Sequence, residues 1–256
     1  MNKEELLEIN DIGSILLEIG TLLMSSGATT SRVRNTVHRI SEALGYKTSM
    51  LITNRAITLS ISDKSEQHFF NSLKRTSPHG VNFKVVSGIS RMSWRVVDEK
   101  WAPDQIRAEL DRLTSLPHYP KLLVLSLVGL AGASFCRLFG GSVLEMAVTF
   151  LATFVGLWVR QEAVIKQFNP YLCVFFASFA ASMISGLFSK MGVGNTMEHA
   201  FTASVLFLIP GVPLINSFSD LIDDNILNGV VRGINGLLIA FAIALGLMGA
   251  MMIYRF

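Results

Sequence analysis

An apolar stretch at residues 206–216 has the composition of a membrane helix but contains two prolines and a glycine. Because proline has no N–H, Pro210 leaves the carbonyl of Leu206 without its helical donor, and Pro213 does the same to Ile209. In hydrocarbon, irregular backbone is tolerated only where protein or a polar cavity surrounds it. Transporters bind substrates at helix breaks of this kind, and an ordinary proline kink explains the same residues equally well.

If the break forms a substrate site, we expect the substrate to contact the backbone or side chains of Leu206, Ile209, Pro210, Gly211, Pro213 and Asn216. Asp220 is then the candidate carrier of a coupling proton, because desolvation near a membrane interface favours the protonated form of a carboxyl group. Asp223 and Asp224 are expected to be solvated loop charges. Arg137, in another apolar stretch, is a candidate for attracting a carboxylate from the outer side; the alternative is that its side chain only reaches the membrane interface.

The sequence contains one candidate catalytic nucleophile, in the Ser-Gly-Ala junction at residues 25–30. His38, His68 or His79 would act as its base. The junction lacks the strand–turn–helix setting of a nucleophile elbow, and its residue types suit a turn between two helices. The histidines have no metal-ligand spacing, and both cysteines lie in apolar segments. We therefore expect no catalytic residue, no metal and no cofactor.

The distribution of charge divides the chain into two domains. Overall, 50% of the residues are hydrophobic and 16% are charged, with a mean hydropathy of +0.46. Residues 1–116 have the charge density of a soluble domain, whereas residues 117–256 carry charges almost only between long apolar runs. The sequence therefore predicts a soluble, cytoplasmic α+β domain and then an all-α polytopic membrane domain. The acidic start has no apolar core typical of a signal peptide, and a net charge of +3 gives no argument for nucleic acid.

Periodicity predicts the elements of the first domain. Helical spacing of apolar residues indicates two helices that end near Gly27 and Gly45. Alternating apolar residues indicate strands at 50–53, 57–62 and 68–73 and a fourth at 81–85. Two more helices are expected at 89–100 and 103–113.

Five membrane spans are predicted, at about 121–139, 143–159 and 170–189, then one that starts near Asn195 and breaks at Pro210, and the last at about 231–254. Arg160, Gln161 and Lys166 are expected in a polar loop. Glu145 is expected to complement a helix N-terminus or to pair with Arg137. Small residues three or four apart indicate helix-packing faces in three spans: Gly129 and Ala133 in the first, Ala177, Ala181 and Ser185 in the third, and Gly233, Gly236, Ala240 and Ala244 in the fifth.

Basic residues predict the orientation of the spans. With residues 1–116 in the cytoplasm, Arg160, Lys166 and Arg232 fall inside, and Lys190 and Arg255 fall outside. The N-terminus is thus expected inside and the C-terminus in the periplasm.

Several motifs resemble those of the threonine/serine exporter family, over nearly the whole chain. They are the Ser-Gly-Ala junction, Phe135-Cys136-Arg137-Leu138, Trp158-Val159-Arg160-Gln161, Ile184-Ser185-Gly186-Leu187 and, most specifically, residues 208–216 with Pro-Gly-Val-Pro-Leu-Ile-Asn. The likeness is strongest to the larger subunit of the two-component branch, which bacterial members associate with succinate export. The resemblance implies that a small membrane protein supplies the remaining helices, whereas the fused branch carries ten in one chain.

The sequence and the resemblance together predict a multi-pass exporter subunit of the inner membrane. Its substrate would be a small carboxylate-bearing metabolite, either threonine or serine or a succinate-like dicarboxylate. An odd number of spans favours a partner subunit or a homo-oligomer. Two other functions stay open: a membrane-anchored protein that senses a ligand, and a membrane-tethered hydrolase.

Overall fold

The computed structural model describes residues 3–63, 68–77, 80–117, 119–191 and 198–255. The chain forms two compact units. The first contains Met1–Pro117 and Val212–Ile234, and the second contains His118–Gly211 and Asn235–Phe256. The sequence placed a boundary at 116/117, one residue from the first of these divisions, but it assigned Val212–Ile234 to the membrane domain.

The first unit combines helices with a three-stranded antiparallel sheet in which β2 is central. Its elements are α1 (Lys3–Ser25), α2 (Thr30–Ala43), β1 (Lys47–Thr53), β2 (Ala56–Ser62), β3 (Phe69–Arg75), α3 (Phe83–Glu99), α4 (Pro103–Thr114), α9 (Gly211–Ile222, from Val212) and the start of α10 (Ile226–Tyr254). The predicted helices and the first three strands are therefore confirmed.

One hydrophobic core holds the first unit together. Helix α1 contributes an apolar face on which Leu16, Ile19 and Leu23 are fully buried. Alternate residues of β2, among them Ile57 and Leu59, are buried in the same core. The burial follows the two periodicities in the sequence, 3.6 residues in the helix and two in the strand.

The predicted fourth strand at 81–85 is wrong, because helix α3 begins at Phe83. The Asn82 side chain accepts a hydrogen bond from the N–H of Val85 at 3.3 Å and so caps the helix. Val81 and Phe83 are exposed. Buried residues then follow at helical spacing from Val85, and the alternation at 81–85 was too short to outweigh them.

The second unit contains long apolar helices. They are α5 (Lys121–Leu138), α6 (Val143–Ile165), α7 (Pro170–Lys190), the short α8 (Glu198–Ala203), a 3-10 turn (Leu206–Leu208) and α10 from Asn235 onward. Helix α6 packs against both α5 and α7. Gly129, Ala133, Ala177, Ala181 and Ser185 are buried, as the packing faces predicted.

Three details of the predicted spans need correction. Helix α6 runs on to Ile165, so Arg160 and Gln161 are helical and not in a loop. Helix α10 begins at Ile226. In α10, Ala240 and Ala244 are exposed, and the buried small residues are Gly236, Ala242, Gly246 and Ala250.

Close packing explains the last of these corrections. A Cβ atom on Gly246 would lie 2.7 Å from the backbone oxygen of Phe175 in α7, so the helices can approach only with a glycine at this position. The predicted stripe and the buried set share Gly236 and differ after it.

Four described helices, α5, α6, α7 and α10, are long and apolar enough to cross a membrane. A fifth crossing results if the interrupted pair Glu198–Leu208 and Gly211–Ile222 counts as one span. Asn195, near which the fourth span was predicted to start, lies outside the described residues.

Candidate functional site

The predicted break is present, and the two prolines contribute to it differently. Pro210 lies between the 3-10 turn and α9, where no helix is formed. Pro213 is the third residue of α9. At that position a backbone N–H has no intrahelical acceptor, so its absence costs nothing. Pro210 therefore marks the interruption, and Pro213 marks the start of the next helix.

The carbonyls that the break was expected to free have local donors. The Leu206 oxygen accepts a hydrogen bond from the N–H of Ile209 at 3.1 Å, and the Ile209 oxygen accepts one from Gly211 at 2.8 Å. The prediction assumed no donor, because it considered only helical hydrogen bonds. A carbonyl oxygen has two lone pairs, so each of these retains one acceptor site.

Asn216 contacts the junction between α1 and α2. Its side-chain amide donates to the backbone oxygen of Gly27 at 2.8 Å. Gly27 has φ of +90°, a left-handed conformation that glycine adopts without strain and that ends α1. The conformation of this turn therefore positions the Gly27 oxygen, which accepts the hydrogen bond from Asn216.

Asp220 is fully buried and contacts the same junction. Its carboxylate accepts hydrogen bonds from the backbone N–H of Thr30 at 2.8 Å and from the Thr30 hydroxyl at 3.0 Å. Nη1 of Arg232 lies 3.0 Å from Oδ2 of Asp220, an ion-pair distance without the alignment of a hydrogen bond. The same guanidinium donates through Nη2 to the oxygen of Ala28 at 3.0 Å. Two donors of Thr30 and the charge of Arg232 therefore face the Asp220 carboxylate.

Asn228 completes this arrangement. Its side-chain amide donates to the Thr30 hydroxyl at 3.1 Å and to the oxygen of Ile52 at 2.9 Å. We call the set the junction cluster, formed by Gly27, Thr30, Asn216, Asp220, Asn228 and Arg232. It ties α9 and the start of α10 to the α1–α2 junction within the first unit.

Sequence reasoning named Asn216 and Asp220 but missed their partners. Arg232 was used only as an indicator of orientation, and Thr30 only as a helix cap. The available signal for the pair was that Arg232 is the first basic residue after Asp220, twelve residues later, because a buried charge needs a counter-charge. Asp223 and Asp224 are exposed as predicted, and Asp223 accepts a hydrogen bond from the Ser31 hydroxyl.

A second group of polar side chains lies inside the second unit. In α6, Glu145, Thr149 and Thr153 follow one another at intervals of four residues and are buried. Helix α7 buries Ser178, Ser182 and Ser185. We call these six side chains the α6–α7 polar row. Of these six side chains, Ser185 was predicted as a packing residue and Glu145 at a helix N-terminus, and their place in one row was missed.

Half of the α6–α7 polar row has an unused polar atom. Oε1 of Glu145 and the hydroxyls of Ser182 and Ser185 are buried and make no hydrogen bond among the described residues. Ser178, in contrast, donates to the oxygen of Ile243 at 2.8 Å. Buried polar groups are nearly always paired, and unpaired ones in a membrane helix typically face a polar path.

Arg137 and Glu145 do not form the pair that was considered. The Arg137 guanidinium donates to the oxygen of Gly141 at 3.1 Å, and the Arg137 side chain is exposed at the end of α5. Glu145 accepts from the N–H of Ser142 at 2.7 Å and so completes a capping box at the start of α6, as the predicted N-terminal role required.

The predicted site residues belong to different units. Asn216, Asp220 and Pro213 are part of the first, and Arg137, Leu206, Ile209, Pro210 and Gly211 are part of the second.

The side chains considered for catalysis form hydrogen bonds or ion pairs with nearby residues. The Ser25 hydroxyl donates to the oxygen of Leu22 at 3.1 Å. His38 pairs with Glu42, and His68 pairs with Asp63; His79 lies outside the described residues. The described part of the chain holds no group of three or more His, Cys, Asp or Glu side chains that could bind a metal.

Comparison with known proteins identifies the family. The profile of the threonine/serine exporter family, ThrE, matches residues 14–254. This chain belongs to the threonine/serine exporter family. Together with its long apolar helices, the match makes it a multi-pass membrane protein of an exporter family.

Two relatives match this family member over almost their full length. A protein of Klebsiella aerogenes named probable succinate transporter subunit YjjP is 28% identical over 239 residues, which cover 93% of this chain and 92% of the relative. The protein of the same name from Escherichia coli K12 is 28% identical over 243 residues.

A longer relative matches as well. The threonine/serine exporter of Corynebacterium glutamicum is 21% identical over 223 residues, which are 83% of this chain but 45% of that protein. No solved structure matches the chain.

Proposed function

We propose that this chain is one subunit of a secondary exporter in the inner membrane, and that it moves a small carboxylate-bearing metabolite outward. Threonine or serine and succinate-like dicarboxylates are the two substrate classes. The observation that carries the proposal is the match over more than nine-tenths of both chains to proteins named succinate transporter subunits. A match of this extent leaves little of either chain outside the shared region.

The lengths of the relatives support a partner subunit. More than half of the Corynebacterium exporter lies outside its match to this chain, and the relatives that match end to end are named subunits. We therefore propose that a second membrane protein, or a second copy of the chain, supplies helices that the longer exporter carries itself. Many transporters are built from two such halves.

We propose that the α6–α7 polar row lines part of the path of the substrate. Ser182, Ser185 and Oε1 of Glu145 have no hydrogen-bond partner among the described residues, although burying an unpaired polar group costs about 1–3 kcal/mol. A polar substrate or water would satisfy them.

The residues at the break keep their proposed roles in this scheme. Leu206, Ile209, Pro210, Gly211 and Pro213 would provide backbone contacts for the substrate through the remaining lone pairs, and Asn216 would add its amide. Arg137 would attract the carboxylate.

Asp220 would carry the coupling proton and act through its contact with Arg232. Protonation would remove the charge that holds Arg232, so proton uptake would loosen the attachment of α9 and α10 to the α1–α2 junction.

Efflux from proteoliposomes tests the proposal. The chain is reconstituted alone and together with the membrane proteins that co-purify with it, and the initial efflux of succinate, threonine and serine is measured. We expect low efflux from the chain alone and substantial efflux of one substrate class from the complex. Full activity without another protein would refute the two-subunit assembly, and no efflux of any of the three from the complex would refute the exporter.

The same assay tests the path. Ser182→Ala and Ser185→Ala remove hydroxyls that have no protein partner, so the melting temperature should stay unchanged or rise while efflux falls by about tenfold. Ser178→Ala is the matched control, because it removes a hydroxyl that bonds the Ile243 oxygen and should lower stability instead. Normal efflux in both Ser182→Ala and Ser185→Ala would exclude the polar row from the path.

A further inference from the structure

The first unit has a polar groove that neither the family nor the proposed export function explains. It lies along one side of α2 and has a volume of about 380 Å³. Its lining consists of Thr29, Ser31, Arg32, Asn35, Thr36, Arg39 and Ser90. No apolar side chain contributes, and the groove is therefore unsuited to a hydrophobic ligand.

The charge of the lining is positive. Arg32 and Arg39 are seven residues apart, two turns along the same side of α2 and about 10 Å along its axis. The lining contains no acidic side chain, and neither guanidinium forms an ion pair among the described residues. Outside the lining, Asp223 accepts a hydrogen bond from the hydroxyl of Ser31.

Arg39 is held in place by neutral neighbours. Its Nη1 donates to the Ser93 hydroxyl at 2.8 Å, and its guanidinium lies 3.9 Å from the centre of the Trp94 ring. A stacked and hydrogen-bonded guanidinium loses little freedom when it binds an anion, because its planar donors are already oriented. Arg39 thus has the properties of a preformed anion contact.

Thr36 adds a hydroxyl to the lining. The residue as a whole is only 3% exposed. Its hydroxyl has no hydrogen-bond partner among the described residues but is not one of the fully buried unpaired atoms, so it is open to the groove. A ligand oxygen there can accept its hydrogen bond.

The N-terminus of α2 contributes little to this site. The N–H of Thr30 is bound by Asp220, and the N–H of Arg32 is bound by the Thr29 hydroxyl. The affinity for an anion must therefore come from the two guanidinium groups and the Thr36 hydroxyl, which together form a built arrangement of side chains.

We propose that this groove binds a small multivalent oxyanion, a dicarboxylate or a phosphate, between Arg32 and Arg39, with the Thr36 hydroxyl donating to one of its oxygens. Guanidinium groups bind both kinds of oxyanion through paired hydrogen bonds. The site is distinct from the proposed path in the second unit and does not depend on export. It gives the first unit the means to sense a soluble anion.

Calorimetry on the purified full chain in detergent at low ionic strength tests the site, with succinate and inorganic phosphate as separate probes and succinamide as the neutral counterpart of succinate. We expect one or both anions to bind and succinamide not to bind. Arg32→Gln and Arg39→Gln should each weaken binding about tenfold. Arg75→Gln is the matched control, because Arg75 is an exposed arginine of β3 outside the groove and its variant should bind as the wild type does.

Thr36→Val separates a ligand contact from a structural role. The change conserves shape, and since the hydroxyl has no protein partner, the melting temperature should not fall, whereas anion binding should weaken about fivefold. Binding that is unaltered in Arg32→Gln, Arg39→Gln and Thr36→Val would assign the anion to another site, for example the transport path. That result, or no binding of either anion, overturns the proposal.

Discussion

At the scale of single residues, the buried pair of Asp220 and Arg232 dominates the first unit. Asp220→Ala would leave the Arg232 guanidinium buried without its counter-charge, together with two unsatisfied donors on Thr30. We expect this change to lower the free energy of unfolding of the first unit by about 3–5 kcal/mol. Chemical denaturation of the purified chain, followed by a probe in this unit such as Trp94, measures the loss.

Two further variants test the cause of that loss. Asp223→Ala is the matched control, because Asp223 is exposed and accepts one hydrogen bond, so its loss should stay below about 1 kcal/mol. Combining Asp220→Ala with Arg232→Leu removes the isolated charge and should cost less than the sum of the single changes. Equal effects of Asp220→Ala and Asp223→Ala would contradict a buried ion pair.

At the scale of elements, the interruption before α9 depends on two prolines that must be changed together. With Pro210→Ala alone, a continuous helix would still place Pro213 in its interior, where the ring clashes with the carbonyl of Ile209. We expect the break to persist in this variant. Changing Pro210 and Pro213 both to alanine should allow the helix to continue through residues 208–214.

Hydrogen–deuterium exchange on peptides that cover residues 206–216 distinguishes these variants. The single variant should exchange as the wild type does, and the double variant should gain protection as new helical hydrogen bonds form. Strong protection in Pro210→Ala alone would show that Pro213 does not hold the break. Efflux measured beside exchange then shows whether the open break is needed for transport.

At the scale of the whole molecule, the number of crossings decides the topology. Four continuous helices can cross, and the interrupted pair makes a fifth. With five crossings, a reporter fused after Phe256 should report the periplasm, and one inserted near Ser65 should report the cytoplasm. The distribution of basic residues around the spans predicts this orientation.

The same experiment distinguishes four crossings from five. If both reporters lie in the cytoplasm, the interrupted pair does not span the membrane and only α5, α6, α7 and α10 cross. That outcome would leave α9 and the start of α10 outside, across the membrane from α2, and so would contradict the hydrogen bond between Asp220 and Thr30 within the first unit.

The membrane helices were predictable from the sequence because hydropathy is a property of each segment alone. Helices α5, α6 and α7 begin within one residue of the expected positions, since proline, asparagine and serine mark their starts. The break at Pro210 was predictable for the same reason, because a missing N–H acts locally. The first three strands followed from alternation along the chain.

Other features depended on residues far apart in the chain. The contact of Thr30 with Asp220 joins positions 190 apart, and no periodicity in one sequence connects them. The buried face of α10 was set by the approach of Phe175 to Gly246, not by the spacing of small residues. The groove beside Arg32 and Arg39 likewise exists only because α3 brings Ser90 next to α2.

The sequence by itself determined where helices start, where one is interrupted and which segments are apolar enough for a membrane, because these properties arise from neighbouring residues. Only the tertiary structure decided that Asp220 is paired with Arg232 and bound to Thr30. The same holds for the hydroxyls of Ser182 and Ser185, which remain without partners. Pairing, burial and satisfaction of polar groups depend on which distant segments meet, and that is fixed by the packing of the whole unit.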